Sequence, residues 1–367
     1  MIRAMARLMA ISLLFICVWP AWAQEPSEPS LAEAVRPKQG MTLCGEPVPV
    51  ESPQIRERFE KAMLLTLDDR AQVLLWIKRA PRYMPFIEAS LKAADLPKDL
   101  KYLAVAESAL RPHAGSPKGA MGFWQLMPET ARKYGLRVDA YMDERRNIFL
   151  STPAALKYLR ALRDQFPSWT LSLAAYNMGE EGLAAEMLEQ NTQDYFNLYL
   201  PLETQLFIFR ILAVKLILSD PMAFGFKVEA QDLYQAQSFD TVGVDCFQET
   251  PIRLVAEAAG TFFKTIKELN PHLRGHYLQP GHLQINLPQG SAKGFKERFA
   301  ALSAKHHEIR QTHIYTVREG DSLSAIAERF EVPLAALLIW NRIGLNEPIH
   351  PGDRIVIYPG KAEKDNQ

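Results

Sequence analysis

The chain of 367 residues carries 42 basic and 42 acidic side chains, and 48% of its residues are hydrophobic. One hydrophobic core rarely serves a chain of this length, so we expect two or three domains. The balanced charge argues against a polyanion as the main partner, and binding to nucleic acid is therefore not expected.

The N-terminal residues 1–23 have the pattern of a signal peptide. Arg3 and Arg7 provide the positive start, residues 8–18 form an apolar run, and an Ala-Trp-Ala cleavage site closes the segment. The apolar run is short for a membrane span. We therefore predict export to the periplasm or cell envelope. An uncleaved anchor and a lipoprotein modified at Cys17 are the less favoured alternatives.

Removal of the signal peptide would leave two cysteines, Cys44 and Cys246. An even number of cysteines in an oxidising compartment permits a disulfide, which would join the segment before the helical region to the segment after it. Two unpaired thiols are the alternative. Two cysteines are too few for a cysteine-rich metal site.

Most of the chain up to residue 225 has a helical pattern. Residues 24–54 begin with a stretch rich in Pro, Glu, Ser and Ala, which is typical of a flexible linker. Over residues 55–225 apolar side chains recur every three or four positions, and strand-like alternation is nearly absent. We therefore predict an all-α domain with a helical brace on its N-terminal side. Pro81 and Pro85 predict a break in one of its early helices.

An internal repeat follows at a constant offset of 71 residues. Asn270 recurs as Asn341, and the Pro-Gly pair at 280–281 recurs at 351–352. Each copy has the pattern of a strand, two short helices and a second strand introduced by Pro-Gly. The predicted boundaries are 239–289 for the first module, 290–311 for a charged linker that is helical or disordered, and 312–360 for the second module.

Three motifs of the helical region carry the candidate chemistry. Glu107 follows an apolar stretch, a Gly/Gln/Met loop begins fifteen residues later at Gly122, and a turn contains Tyr176 and Asn177. Glycosidic cleavage needs a carboxylic acid that stays protonated near neutral pH, and apolar surroundings raise the pKa of a carboxyl group. Glu107 has the most apolar neighbours of any Glu before the loop. The motifs predict a site that binds a polysaccharide and cleaves it with one acid.

Most glycosidases use a second carboxylate as base or nucleophile. No acidic residue lies in the Gly/Gln/Met loop or in the Tyr-Asn turn. A site with one acid points instead to attack by a hydroxyl of the sugar itself, after the acetamido group of the substrate has assisted departure of the leaving group.

Together these motifs resemble those of the lytic murein transglycosylases, particularly the membrane-bound members with C-terminal LysM modules. The match covers about residues 85–220. It implies a mainly α protein, in which a goose-lysozyme-like catalytic domain precedes two small βααβ LysM-like modules. It also implies peptidoglycan glycan strands as the partner, attachment to the cell wall or the membrane surface, and no cofactor. The motifs are Glu107-Ser108, Ser116, Gly119-Ala120-x-Gly122-x-x-Gln125-x-Met127-Pro128-x-Thr130-Ala131 and Ala174-Ala175-Tyr176-Asn177-x-Gly179.

The resemblance also implies a role for each residue. Glu107 would protonate the bridging oxygen between N-acetylmuramic acid and N-acetylglucosamine, and would then take the proton of the C6 hydroxyl. The product would be a 1,6-anhydro ring, formed without water. The other implied roles are orientation of the acid or the acetamido group by Ser116, binding of the sugar by Gln125 and Tyr176, support of the turn by Asn177, lining of the cleft floor by Met127, space for substrate at Gly122, and bracing of the acid's helix by Ser108.

One residue departs from the family pattern. Phe207 stands where the Glu-Thr-x-x-Tyr segment of the family has tyrosine, so a stacking surface is kept and a hydroxyl is lost. Two alternatives remain at this point. A hydrolytic muramidase of the same fold would need Asp139 or Asp143 as its second carboxylate, and a catalytically silent peptidoglycan-binding scaffold would need none. The LysM-like modules imply binding to glycans that contain N-acetylglucosamine, with a structural spacer as the alternative.

Overall fold

The computed structural model describes residues 30–358, without the side chains of 310–312. The predicted signal peptide and the last two residues of the predicted second module lie outside the described residues. Within them the fold is mainly α, as predicted, with a large helical domain followed by two small βααβ modules. Each of the three units has its own hydrophobic core.

The helical domain surrounds one apolar helix. Its last long helix, Leu202–Ser219, is buried on most of its surface by earlier helices, which explains why it is apolar almost all round. No helix within residues 30–358 is both long and apolar enough to span a membrane. The elements of the domain are α1 Leu31–Ala34, β1 Thr42–Leu43, β2 Glu46–Pro47, α2 Pro53–Asp68, α3 Arg70–Ala93, α4 Lys101–Ser108, α5 Pro128–Lys133, α6 Ile148–Gln165, α7 Trp169–Met178, α8 Glu180–Glu189 and α9 Leu202–Ser219.

The described part of the predicted linker 24–54 is a packed segment, so the linker prediction is wrong there. Residues 31–34 form α1, and a short hairpin pairs β1 with β2. Apolar side chains between the prolines explain the difference, because they are buried in the core of the helical domain. These side chains are Val35, Met41, Leu43, Val48 and Val50.

The predicted break at Pro81 and Pro85 is also absent, since α3 runs through both prolines. Each proline removes one backbone hydrogen bond from the helix. The buried side chains of Met84 and Ile87 lie on the same turns and hold that part of α3 on the core. Tertiary packing therefore overrides the local cost of the prolines.

The two modules follow the predicted order of strand, two helices and strand. Their helix pairs begin at residues 252 and 263 in the first module and at 323 and 334 in the second, an offset of 71 residues in both cases. The long strands of the first module, β3 (Phe239–Cys246) and β6 (Gly281–Pro288), pair antiparallel, as do β7 (Ile314–Thr316) and β8 (Arg354–Val356) of the second. The elements are β3 Phe239–Cys246, β4 Thr250–Pro251, α10 Ile252–Ala258, α11 Phe263–Leu269, β5 Tyr277–Leu278, β6 Gly281–Pro288, α12 Phe295–Thr312, β7 Ile314–Thr316, α13 Leu323–Arg329, α14 Leu334–Asn341 and β8 Arg354–Val356.

The repeated asparagine explains part of the repeat. Asn270 Nδ2 donates to Ile266 O and Asn286 O, and its Oδ1 accepts from the Asn286 amide. Asn341 makes the same three contacts, with Leu337 O, Val356 O and the Val356 amide. One amide side chain thus ties the second helix of each module to its last strand.

The segment between the modules is helical. The helix α12 covers most of the predicted linker 290–311, and its Phe295 and Phe299 are buried in the core of the first module. The first half of this segment is therefore part of that module.

The predicted disulfide between Cys44 and Cys246 is not formed, and both thiols are free. Cys44 lies in the turn between β1 and β2 and packs against the core of the helical domain. Cys246 is the last residue of β3 and is buried in the core of the first module. The two cysteines therefore lie against the cores of different units.

Candidate active site

Glu107 lies in the last turn of α4, which ends at Ser108 and is followed by Ala109 in the left-handed conformation with φ of 53°. Its side chain is partly buried. No hydrogen bond or ion pair to its carboxyl group is found among residues 30–358. The C-terminal end of a helix also disfavours negative charge. The carboxyl group is therefore held in surroundings that favour its protonated form.

The pKa of Glu107 is raised to about 8, chiefly because burial penalises the charged form. The positive charge of Arg210 opposes this shift, and the negative charge of Glu203 adds to it. Both residues belong to α9, which packs against α4. Most Glu107 side chains are consequently protonated at neutral pH, as a general acid requires.

The cleft loop, residues 114–127, is tightly folded around Gly122. Gly122 has a φ of 81°, and a Cβ atom there would lie 1.9 Å from the carbonyl oxygen of Arg145. The residue is also buried. Glycine is therefore required by contact with the protein itself. The family resemblance implied that Gly122 leaves space for substrate. Its surroundings instead explain the glycine by the close approach of the Arg145 carbonyl.

Gln125 stabilises the cleft loop from within. Its Nε2 donates to Ala114 O and to Gly122 O, both at 2.9 Å. Its backbone adopts a φ of 45°, an uncommon value for a residue with a side chain. Because both amide protons are used, the Oε1 atom is left as a hydrogen-bond acceptor at the cleft that Gln125 lines.

Tyr176, near the end of α7, connects the cleft loop to the acid. Its hydroxyl donates to Trp124 O, and its ring lies 5.3 Å from the ring of Tyr158. The pKa of Tyr176 is raised well above its ordinary value by burial and then by the charge of Glu107. The phenol therefore stays protonated, close to the acid.

A cleft of about 490 Å³ lies between the cleft loop, α7 and the start of α9. Gln125, Met127, Tyr176 and Asn177 are among its lining residues. Asn177 Oδ1 accepts from Thr204 Oγ1 at 2.8 Å, and Met127 is 38% exposed. The structure thus brings four of the predicted substrate residues together. The other lining residues are Lys118, Leu126, Thr130, Tyr158, Met178, Gly179, Glu180, Pro201, Glu203 and Thr204.

Glu107 itself is not one of the lining residues, but Tyr176 and Glu203 are, and both interact electrostatically with it. The acid therefore lies beside the wall of the cleft.

The two predicted serines lie outside that lining. Ser108 is 2% exposed, and its Oγ lies 2.8 Å from Ala104 O and 2.9 Å from Phe123 O. This hydroxyl holds the cleft loop on α4. Ser116 Oγ accepts from the Ala120 amide at 3.1 Å and stabilises a turn within the loop. Both serines shape the site through the backbone.

The sequence motifs did not predict three charged residues of this site. Glu203 and Arg210 are brought to Glu107 by the folding of α9, and Arg145 is brought to the cleft loop from a distant turn. The Glu-Thr segment that marked Phe207 also contains Glu203, so a signal for that residue was present.

Phe207 is only 1% exposed and belongs to the core of the helical domain. It cannot offer a stacking surface to a sugar, so that expectation is wrong. The loss of the hydroxyl at this position therefore gives no support to a silent scaffold.

Neither carboxylate suggested for a hydrolytic mechanism is free to act. Asp139 pairs with Arg137 and accepts from two backbone amides. Asp143 is buried and pairs with Arg145 at 2.8 and 3.0 Å. Burial raises the pKa of Asp143, but the hydrogen bonds and charge of Arg145 outweigh burial and hold it below its ordinary value.

Within residues 30–358 no group of three or more potential metal ligands lies together.

Comparison with known proteins adds two domain matches. Residues 84–198 match the model of the transglycosylase SLT domain, and residues 315–357 match that of the LysM domain. The first match contains Glu107, the cleft loop and the Tyr-Asn turn.

Similar proteins are known from several bacteria. The chain is 30% identical over 328 residues to membrane-bound lytic murein transglycosylase D of Escherichia coli K12, covering 85% of this chain and 70% of that protein. It is 32% identical over 124 residues to membrane-bound lytic murein transglycosylase F of Saccharophagus degradans, covering 30% of this chain and 23% of that protein. The 70-kDa soluble lytic transglycosylase of Escherichia coli has a solved structure with 18% identity and a TM-score of 0.33, covering 48% of this chain and 33% of that one.

The relation to the first of these proteins extends over most of both chains, at 30% identity. The chain therefore belongs to the lytic murein transglycosylases.

Proposed function

We propose that Glu107 is the catalytic acid and base of this enzyme, and that its glycan strand lies in the cleft between the cleft loop, α7 and α9. As a member of its family the protein is a peptidoglycan lytic transglycosylase. One observation carries the assignment of the acid. Glu107 has a pKa of about 8, no partner for its carboxyl group within residues 30–358, and a cleft beside it lined by Gln125, Tyr176 and Asn177.

In the first step Glu107 donates its proton to the oxygen that bridges N-acetylmuramic acid and N-acetylglucosamine. The bond from this oxygen to the anomeric carbon breaks, and the acetamido oxygen of the muramic acid forms a bond to that carbon. Glu107 is left as a carboxylate. Its raised pKa then favours return of a proton.

In the second step the Glu107 carboxylate removes the proton of the C6 hydroxyl. The C6 oxygen bonds to the anomeric carbon, and the bond from the acetamido oxygen breaks. The product is the 1,6-anhydro ring, and Glu107 is protonated again. No water is consumed, and one carboxyl group suffices for both steps.

The lining residues bind and orient the strand. Gln125 Oε1 accepts a hydrogen bond from a sugar hydroxyl or amide, because its own amide protons are held by the backbone. Asn177 Nδ2 acts as a donor, since Asn177 Oδ1 is engaged by Thr204. The Tyr176 oxygen, whose proton is held by Trp124, stabilises the positive charge that develops at the anomeric carbon. Met127 offers an apolar floor.

We propose for Ser108, Ser116 and Gly122 a structural role that does not depend on bound substrate. We assign to them the shape of the cleft loop, on the basis of their contacts with Phe123, with Ala120 and with the Arg145 carbonyl.

The experiment is mass spectrometry of the products from purified peptidoglycan. We expect fragments lighter by one water molecule than hydrolysed ones. Glu107→Gln should abolish them while binding to peptidoglycan persists. Glu129→Gln is the matched control, because Glu129 is an exposed carboxyl group on α5. Undiminished turnover in Glu107→Gln would overturn the assignment of the acid.

Two carboxylates line the cleft, and Glu203 is the better candidate for the base of a hydrolytic reaction because Glu180 accepts a hydrogen bond from Tyr158. Glu203 is exposed, lines the cleft and lies near enough to raise the pKa of Glu107. Products at the hydrated mass that disappear in Glu203→Gln would identify the enzyme as a muramidase. We expect anhydro products to remain in that variant.

The protein acts on peptidoglycan in the cell envelope. We propose that residues 1–23 direct its export to the periplasm and that the C-terminal LysM module keeps it on the glycan. We further propose a division into a catalytic domain up to residue 225, a first module from 239 to 289, and a LysM module from 312 to 360. Association with the membrane surface belongs to the same proposal.

A further inference from the structure

The first module is docked on the helical domain through paired backbone segments. Met142 and Leu273 face each other in an antiparallel bridge. The Asp143 amide donates to His272 O at 2.9 Å, and a second hydrogen bond of 2.8 Å runs from the Arg274 amide back to the other segment. Paired backbone fixes the two segments relative to each other, as in a sheet.

Side chains reinforce this contact. Met142 belongs to the helical domain but is buried in the core of the first module, together with Leu273. Asn147 Nδ2 lies 3.2 Å from His272 Nδ1, and both side chains are buried. The Asn147 side chain also caps the start of α6 by accepting from the Phe149 amide. The interface therefore contains buried polar and apolar side chains, and it reaches α6 of the helical domain.

The paired segment of the helical domain, residues 141–143, is connected to the cleft loop by one buried ion pair. The Asp143 carboxylate holds the Arg145 guanidinium, and Arg145 Nη1 donates to Gly119 O at 2.8 Å and to Leu126 O at 2.9 Å. These two carbonyls lie on either side of the segment that carries Gln125. A planar guanidinium with several donors can serve a carboxylate and two carbonyls at once.

We propose that the first module is part of the catalytic unit, and that Arg145 is a positioning residue through which the docked module fixes the cleft loop. The inference rests on the proposed function, because its effect on turnover is read in that reaction. Its physical basis is the sensitivity of an active site to small displacements, since a shift of about 1 Å can cost on the order of a hundredfold in rate.

The test compares two leucines of the first module in the full chain. Leu273→Ala and Leu283→Ala remove the same atoms from the same core, but only Leu273 lies in residues 272–274, the segment of the first module that pairs with the helical domain. We expect Leu273→Ala to lower kcat by about tenfold to a hundredfold, on the scale set by such displacements, with KM changed much less. Leu283→Ala should lose a similar amount of thermal stability and keep its kcat.

Amide hydrogen exchange gives a readout that needs no chemistry. Peptides from the cleft loop should exchange faster in Leu273→Ala than in the native protein, and at the native rate in Leu283→Ala. Arg145→Lys keeps the positive charge beside Asp143 but replaces the planar guanidinium by a single ammonium group, which cannot hold the carboxylate and both carbonyls in the same geometry. It should also raise exchange in the cleft loop and lower kcat, while binding to peptidoglycan is unchanged.

Equal turnover and equal exchange in the two leucine variants would overturn the inference. So would native turnover in Arg145→Lys. If the native protein yields no anhydro products, the proposed function fails, and the exchange measurement still decides whether the module positions the loop.

Discussion

At the scale of single residues, the proposed catalytic group is a carboxyl group without a partner within residues 30–358. Burial of Glu107 is the largest cause of its raised pKa, and the nearby charges of Arg210 and Glu203 act in opposite directions. An acid that also serves as base needs a pKa near the working pH, because each of its two forms must be accessible in turn. The value of about 8 meets this requirement.

The raised pKa predicts the pH dependence of the enzyme. The first step needs protonated Glu107, so kcat/KM should fall as pH rises through about 8. At pH 9 we expect about one tenth of the value at pH 7, from the fraction of protonated acid alone. The measurement is the initial rate of anhydro product formation at subsaturating substrate. A profile that stays flat up to pH 9 would show that another group is the acid.

Phe207→Tyr should not raise turnover, although it restores the residue that is usual in the family. The side chain is buried in the core, and a hydroxyl added there without a partner costs about 1–3 kcal/mol. Thermal unfolding and the rate of product formation in the same preparation test both parts of this prediction. A rise in kcat would mean that the position faces substrate during the reaction.

The sequence is enough to propose Glu107, Gln125 and Tyr176 as site residues, because each belongs to a short motif. It does not reveal why Gly122 must be glycine. That reason is the carbonyl oxygen of Arg145, which a tertiary contact places 1.9 Å from the position of a Cβ atom. The same limit applies to Phe207, whose burial is decided by the helices around it.

At the scale of elements, α9 controls the electrostatics of the site. Glu203 and Arg210 are seven residues apart, two turns of the helix, so both can face α4. Local motifs around Glu107 contain neither residue, and their effect on its pKa depends on how α9 packs. The helix α9, which lies at the centre of the core, therefore also affects the pKa of Glu107.

The two charges on α9 should shift the pH profile in opposite directions. Arg210→Met removes a positive charge that lowers the pKa of Glu107, so the alkaline limb should move to higher pH. Glu203→Gln removes a negative charge that raises the pKa, so the limb should move to lower pH. The measurement is kcat/KM against pH for both variants at one ionic strength. Shifts of the same sign in both would contradict this electrostatic account.

Two predictions about the helical domain were wrong because packing overrides the local sequence pattern. Pro81 and Pro85 predicted a break, but the buried face of α3 continues through them. The segment after residue 30 has the composition of a linker, and its few apolar side chains nevertheless find the core. Composition and periodicity report local preference, whereas burial of a few side chains against distant helices decides both cases.

At the scale of the whole molecule, one asparagine in each module holds the helix pair to the last strand. Asn341→Ala leaves two carbonyls and one amide without their partner, which should destabilise the LysM module by about 1–3 kcal/mol. We expect weaker binding to peptidoglycan and unchanged kcat on soluble glycan fragments. Asn270→Ala is the matched variant in the first module, and it should lower kcat if that module positions the cleft loop. Equal effects of Asn341→Ala and Asn270→Ala on kcat would contradict the proposal that the first module, unlike the second, positions the cleft loop.

The burial of Met142 in the core of the first module has a thermodynamic consequence. Met142 belongs to a segment of the helical domain, so the core of the first module cannot open without exposing a side chain of that domain, and this couples the unfolding of the two units. The helical domain and the first module should therefore melt in a single calorimetric transition. The C-terminal module has a core of its own and should melt in a separate transition. The three structural units would then unfold as two cooperative units, and the boundary between those two units would lie after α12.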